Sequence, residues 1–270
     1  MTNVELVAVG NELLLGDVLD TNTNWLCKRI TGLGGMVRRA VMVEDDIETI
    51  AAEMRGALAR GADVVITTGG LGPTADDMTL SAVAQALDVP LELSAEALAL
   101  VRAKYVELAK QGYVESTELS QERRKMAVLP RGAQPLYNPV GTAPGVVLKV
   151  ENSTIISLPG VPEELKGIFT TSLQPFLKEL LGESVFIEKM VIVRCGDESI
   201  LAPIVNKVAE EHSDVYVKSM APPFRPEKKI PIILSLAGSD QVRVETAIEK
   251  ALGELKRGLA DAGISIISIT

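Results

Sequence analysis

Cysteine is almost absent from this chain. Cys27 and Cys195 are the only two in 270 residues, far apart and without metal-ligand spacing, which fits a reducing compartment. Cys27 falls in the apolar pattern of Trp25, Leu26 and Ile30 and reads as a small core residue. Histidine is scarcer still. Any Ser-His-Asp or Cys-His mechanism would have to use His212, and a histidine-ligated zinc site is excluded. His212 follows Glu210-Glu211 and precedes Ser213-Asp214, which reads as a helix end with a solvated histidine in its last turn. Aromatics are only 3%, so stacking platforms for single-stranded nucleic acid are scarce. Positive charge is also short: the net charge of −9 opposes a polyanion-binding surface, and nucleic acid is not an expected partner. No uninterrupted apolar run could cross a bilayer, and no basic segment followed by an apolar run opens the chain. A soluble, cytoplasmic protein without membrane contact is expected.

What is present is a large aliphatic core and a regular alternation of elements. Hydrophobic residues make up 47%, enough for two domains resting on Val, Ile, Leu, Ala and Met. Val4 to Val9 reads as a central strand ended by Gly10-Asn11-Glu12. Asp20-Thr21-Asn22 offers caps for a helix through Trp25 and Ile30, stopped by Gly34-Gly35. Val37 to Val43 is the next strand, and Ile47, Ile50, Met54 and Leu58 form one helical stripe. Strand Val64 to Thr67 follows. This alternation predicts an α/β domain with a mostly parallel sheet and helices on both faces, whose ligands gather beyond the carboxyl ends of the strands. Further on, Ser94 caps a long helix, a second runs from Ser120 to Ala127, Val146 to Val150 pairs with Thr154 to Leu158 as a hairpin, and a helix after Pro162 ends near Gly182. From residue 184 the order becomes β-α-β-β-α-β, a small α+β module. The expected domains are 1–182 and 183–270.

The most informative stretch is Thr67-Thr68-Gly69-Gly70-Leu71-Gly72-Pro73-Thr74-Ala75-Asp76-Asp77. A strand delivers a glycine-rich turn to a helix start, so backbone N–H groups can approach an anion. No Lys follows the last glycine, so this is not a Walker A loop, and the dinucleotide fingerprint has a different spacing. Asp76 and Asp77 would repel bare phosphate. Phosphate beside carboxylates implies a divalent metal between them. Each element has a plainer reading: Thr74 with Asp77 resembles a capping box, and Gly69-Gly70 serves a tight turn. Glu12 is either a metal or ribose contact or an exposed loop acid. Asp45-Asp46 reads as a helix cap. Asn138 and Thr142 sit in a stiff loop with two prolines and two glycines. Glu164 either reaches a metal or complements a helix dipole. Arg123, Arg124 and Lys125 read as a solvated helix face, and Lys218, Arg225, Lys228 and Lys229 as loop decoration.

Thr68 to Thr79 resembles the signature of the competence/damage-inducible protein CinA family, N-terminal part. So do Gly10-Asn11-Glu12-Leu13-Leu14-Leu15-Gly16 with Asn22-Thr23-Asn24, Asn138-Pro139-Val140-Gly141-Thr142-Ala143-Pro144-Gly145, and Leu158-Pro159-Gly160-Val161-Pro162-Glu163-Glu164. The resemblance implies a three-layer α/β/α, molybdopterin-binding-like domain followed by a small KH-like module. Gly196-Asp197-Glu198-Ser199 lacks the second glycine of an RNA-clamping loop. The resemblance also implies ADP-ribose pyrophosphatase activity dependent on a divalent metal (Mg or Co) and helped by potassium. Relatives with a further C-terminal domain deamidate nicotinamide mononucleotide. This chain stops at Thr270, so that activity is not expected. The resulting expectation is hydrolysis of ADP-ribose to AMP and ribose 5-phosphate. Asp76 and Asp77 are then catalytic and hold the metal with Glu164, while Gly10, Glu12, Gly69, Gly70, Leu71, Gly72, Thr74, Asn138 and Thr142 contact substrate. The alternative is a pterin-phosphate binding module in molybdenum cofactor assembly. A homo-oligomer is expected in either case.

Overall fold

A computed structural model describes residues 2–181, 185–220 and 229–270. The chain divides into two compact units, one of residues up to 181 and one of residues from 185 on, the short stretch 31–34 grouping with the second.

The first unit begins with β1 (Asn3–Val9), α1 (Asn11–Leu14), α2 (Thr21–Gly32), β2 (Met36–Val43), α3 (Ile47–Ala59) and β3 (Val64–Thr68). It continues with α4 (Thr79–Ala86), β4 (Leu91–Leu93), α5 (Ala95–Lys110), α6 (Gln121–Lys125), β5 (Val128–Pro130) and β6 (Gln134–Leu136). The hairpin of β7 (Gly145–Val150) and β8 (Ser153–Leu158) follows, then α7 (Pro162–Ile168), a π turn at Phe169–Leu173 and α8 (Gln174–Leu181). Six strands form one sheet in the order β2-β1-β3-β8-β7-β6. Strands β2, β1, β3 and β8 run parallel, while β7 and β6 run antiparallel at the far side. Every residue of β3 is buried, as expected of a parallel strand covered on both faces. Val7, Val9 and Val65 meet Ile50, Met54 and Val83 of α3 and α4 on one side. Leu6, Ile66 and Ile156, of opposite pleat, are as fully buried as Leu26, Leu165 and Phe169 from the remaining helices. Trp25 of α2 meets Phe169 edge-on at 4.9 Å.

The parallel sheet decides where a ligand can sit. The loops after β1, β2, β3 and β8 leave the same edge, and the antiparallel β7 brings the segment before Gly145 to it as well.

The second unit contains β9 (Val185–Arg194), α9 (Glu198–Glu211), β10 (Tyr216–Ser219), β11 (Lys229–Gly238), α10 (Gln241–Asp261) and β12 (Ile266–Ile269). Its antiparallel sheet has the order β10-β11-β9-β12. Val191, Val193, Ile232 and Leu234 pack there against Leu201, Ile248 and Leu255. The β-α-β-β-α-β order matches the sequence reading. Arg225 and Lys228 lie outside the described residues, whereas Lys218 and Lys229 lie in strands rather than a loop.

Some expectations need correction. His212 is the C-cap of α9 but is not freely solvated: its Nε2 is buried without a partner among the described residues. Cys27 is half-buried rather than a core residue. The helix expected over 120–127 is only α6, and the chain beyond it forms strands β5 and β6. Pro135 is tolerated in β6 because that strand is at the sheet edge. Among the described residues no helix is long and apolar enough to cross a membrane.

Candidate functional site

Beyond the carboxyl ends of the parallel strands lies a cleft of 390 Å³. It is lined by Gly10 and Glu12 after β1, Asp45 after β2, Gly69 to Pro73 with Asp76 and Asp77 after β3, Thr142 and Ala143 before β7, and Pro159 to Val161 with Glu164 after β8. Most of the residues singled out in the sequence meet here, although they come from four separate stretches.

The turn after β3 is built by close approach. Gly69 has φ +102° and Gly70 φ +67°, conformations that side chains rarely adopt. A Cβ on Gly69 would lie 2.2 Å from the Val9 carbonyl oxygen, and one on Gly70 would lie 2.2 Å from the Thr79 hydroxyl. Thr79, fully buried at the start of α4, donates its hydroxyl to Gly69 O at 2.8 Å and its amide to Gly70 O at 3.2 Å. These contacts fix the turn's carbonyls inward. The amides of Gly70, Leu71 and Gly72 then donate to no protein acceptor among the described residues. The other two glycine amides named from sequence are not free. Gly69 N donates to Leu158 O at 2.9 Å and Gly10 N to Val43 O at 3.1 Å, so both serve the sheet edge.

Asp77 closes the turn. Its Oδ2 accepts from the Thr74 amide at 2.8 Å and from the Thr74 hydroxyl, and its carboxylate lies against Gly72. The reverse capping box therefore forms a local loop ahead of α4 and does not start the helix, whose N-cap is Met78. Thr74 itself does not line the cleft, contrary to the sequence expectation; its donors are spent on Asp77. Asp76 is exposed, and its carboxyl titrates below the usual range because of the Thr74 hydroxyl, its own amide and nearby Lys125. Lys125 donates to the Thr74 carbonyl, so the basic run of α6 is not merely a solvated face. Arg123 stacks over Tyr105 with its guanidinium carbon 3.9 Å from the ring centroid.

Asn138 also departs from its expected role. It is buried, and its side chain is fully engaged: Oδ1 accepts from Val140 N at 3.0 Å and Gly141 N at 2.9 Å, while Nδ2 donates to Ala143 O at 2.8 Å and Glu164 Oε2 at 2.7 Å. It shapes the loop that presents Thr142 and orients Glu164, and has no donor left for a ligand. Lys104, which the sequence reading passed over, supports the same loop from below. Buried on α5, it donates to Pro139 O at 2.9 Å and pairs with Glu107 at 3.2 Å. The detectable signal was a lysine on the face shared by Ala97, Val101 and Tyr105. Asp45, read from sequence only as a cap, lines the cleft and accepts from Asn11 N at 2.8 Å, while Asp46 is the actual cap of α3.

Burial pushes the Glu164 carboxyl above its ordinary range, partly offset by the Asn138 hydrogen bond and the Lys104 charge. The protonated form is therefore the one the fold favours, and its stabilisation fades as pH rises from the ordinary glutamate range through the raised value. Glu164→Gln keeps the oxygen that Asn138 needs and cannot ionise. It is expected to melt above the parent at pH 8, by roughly 2–4 °C per kcal/mol relieved, and the two melting curves should converge below about pH 4. Thermal scans across pH check this; a lower melting temperature at pH 8 would contradict it.

A family model described as "Probable molybdopterin binding domain" matches residues 5–179, well over half the chain. The chain belongs to that family. Relatives of similar length include a protein of Aeropyrum pernix, 42% identical over 97% of this chain and 95% of its own, and one of Pyrococcus abyssi, 40% identical over 91% and 94%. Among solved structures, the protein CinA with unknown function from Thermoplasma acidophilum is 36% identical. It covers 65% of this chain and 98% of its own at a TM-score of 0.59. The matched stretch includes every cleft residue, so the site lies wholly within the molybdopterin-binding domain.

Five carboxylates line this domain's cleft (Glu12, Asp45, Asp76, Asp77 and Glu164), with no Lys or Arg among its described lining residues. Among the described residues no three Asp, Glu, His or Cys side chains stand together as a ready metal cage. An all-oxygen donor set of one or two carboxylates still suits a hard ion such as Mg²⁺, which completes its shell with water and ligand phosphate. Asp77 and Asp76 are the donors closest in sequence to the free amides, while Glu164 is tied to Asn138.

Proposed function

We propose that the cleft hydrolyses the pyrophosphate bond of ADP-ribose or a similar nucleotide, giving AMP and ribose 5-phosphate. The observation that carries this reading is one juxtaposition: three unpartnered amides at Gly70, Leu71 and Gly72 beside carboxylates, in a cleft lined by no cationic side chain. Amides favour an anion and carboxylates repel one, so a diphosphate enters best together with a cation. A divalent ion held by Asp76 and Asp77 supplies charge neutralisation at the phosphates and a more acidic bound water. The chain's own residues do the rest. The Gly70–Gly72 amides hold phosphate oxygens in fixed positions, an arrangement that needs no reorganisation as charge develops. Thr142 closes the cleft on the other side. Water attacks one phosphorus, the bridging P–O bond breaks, and the departing phosphate takes the bridging oxygen.

A second reading rests on the family's description: the same amides grip a pterin phosphate, without hydrolysis. Self-association accompanies either reading, and the exposed Leu14, Leu15, Val18 and Leu19 beside the cleft support it. The test is to incubate the full chain with ADP-ribose and Mg²⁺ or Co²⁺, with and without K⁺, and to separate the products. AMP and ribose 5-phosphate in equal amounts support hydrolysis. No products, with tight pterin-phosphate binding in the absence of metal, would replace it with the second reading.

A further inference from the structure

A second, larger cavity of 720 Å³ adjoins the cleft, and Gly70, Leu71, Gly72 and Asp77 line both. Its chemistry is opposite. Leu80, Leu91, Leu93, Leu119, Met126 and Val128 make most of its wall, and Arg124 and Lys125 add positive charge that the acidic cleft lacks. Leu91 and Leu93 are two residues apart on the three-residue strand β4 and so share one face. They are 39% and 48% exposed, with nothing of the first unit's core over them. The glycine-rich turn is thus a partition, polar on one side and aliphatic on the other, with Lys125 reaching across to the Thr74 carbonyl at the seam.

We infer that this second compartment receives the flat, fused-ring heterocycle of the same ligand whose phosphates lie over Gly70 to Gly72. The inference rests on the phosphate reading above and narrows it to ligands with a fused ring, excluding simple sugar phosphates and inorganic pyrophosphate. Three features carry it. The compartments are continuous at the phosphate-facing amides, so one ligand bridges both. The volume lies within the range of small-molecule sites. Aliphatic side chains flank the space as ring faces require, while Arg124 and Lys125 face the negative charge that follows the ring.

AMP and ribose 5-phosphate differ only by the base, which makes them the natural probes. Calorimetric titration of the full chain in Mg²⁺ should give AMP binding at least about tenfold tighter than ribose 5-phosphate, a difference of about 1.4 kcal/mol. The double variant Leu91→Asp/Leu93→Asp should erase that gain and leave ribose 5-phosphate binding unchanged, which doubles as the control for folding. Neopterin phosphate is the third probe. A ring-dependent gain for it alone would keep the compartment and make its occupant a pterin rather than a purine. Equal binding of all three, or a gain that survives the double variant, would overturn the inference while leaving the phosphate site standing. Binding of none of them, with or without metal, would overturn both.

Discussion

Asp77→Asn is expected to reduce release of AMP from ADP-ribose by on the order of 10²–10³-fold in kcat, with the melting temperature nearly unchanged. Asparagine keeps an oxygen where Thr74 donates its amide and hydroxyl, so the loop retains its shape. What disappears is the negative charge next to Gly72. If that charge holds the cation against the substrate phosphates, chemistry should suffer far more than stability. A parallel Asp77→Ala variant loses both the charge and the acceptor, and should add a measurable fall in stability to the same loss of turnover. The comparison separates a chemical role from a structural one. Full activity in Asp77→Asn would assign Asp77 to loop closure alone.

Gly69→Ala should be the most damaging single change to the fold of the site. The residue is clamped from both neighbouring strands: its amide donates to Leu158 O at 2.9 Å, its carbonyl accepts from the Thr79 hydroxyl at 2.8 Å, and a Cβ would meet Val9 O at 2.2 Å. The obstacle is backbone of the central β1, which cannot swing aside as a side chain could. The positive φ adds strain of its own. A loss of about 3 kcal/mol or more is expected, with a fall in melting temperature of roughly 6–12 °C. Gly16→Ala is the control. Gly16 also has positive φ, at +79°, but a Cβ there meets nothing within 4 Å, so only the conformational cost of about 1–2 kcal/mol remains. Equal melting temperatures for the two variants would contradict the packing described for the turn.

How far the sequence revealed this site depends on the range of the interactions involved. Val64-Val65-Ile66 followed by three glycines marked both a buried strand and its turn, because apolar runs and glycine act locally. Ser94 and Asp46 were legible as caps for the same reason. The strands β4 and β5 were not legible: each is three residues long and exists only through its pairing with the other. The π turn at Phe169–Leu173 was hidden within a pattern that reads as one helix. Asn138 was correctly placed near the site but assigned the wrong task, since its partner Glu164 lies 26 residues away. Likewise, nothing local to Arg123-Arg124-Lys125 shows that Lys125 reaches Thr74, 51 residues back. Gly10 and Gly69 looked like free donors because the strand ends that occupy their amides become neighbours only in the sheet.

The central claim is that a cation and the Gly70–Gly72 amides hold one diphosphate between them at the aspartate pair. Its most direct test is a crystal grown with Mn²⁺ and a non-hydrolysable methylene analogue of ADP-ribose, with the metal located by anomalous scattering. The account predicts a single strong peak in contact with Asp76 or Asp77 and with oxygens of both phosphorus atoms, the same oxygens accepting from those amides. Phosphates seated elsewhere, or seated on the amides without any metal peak near the two aspartates, would contradict it.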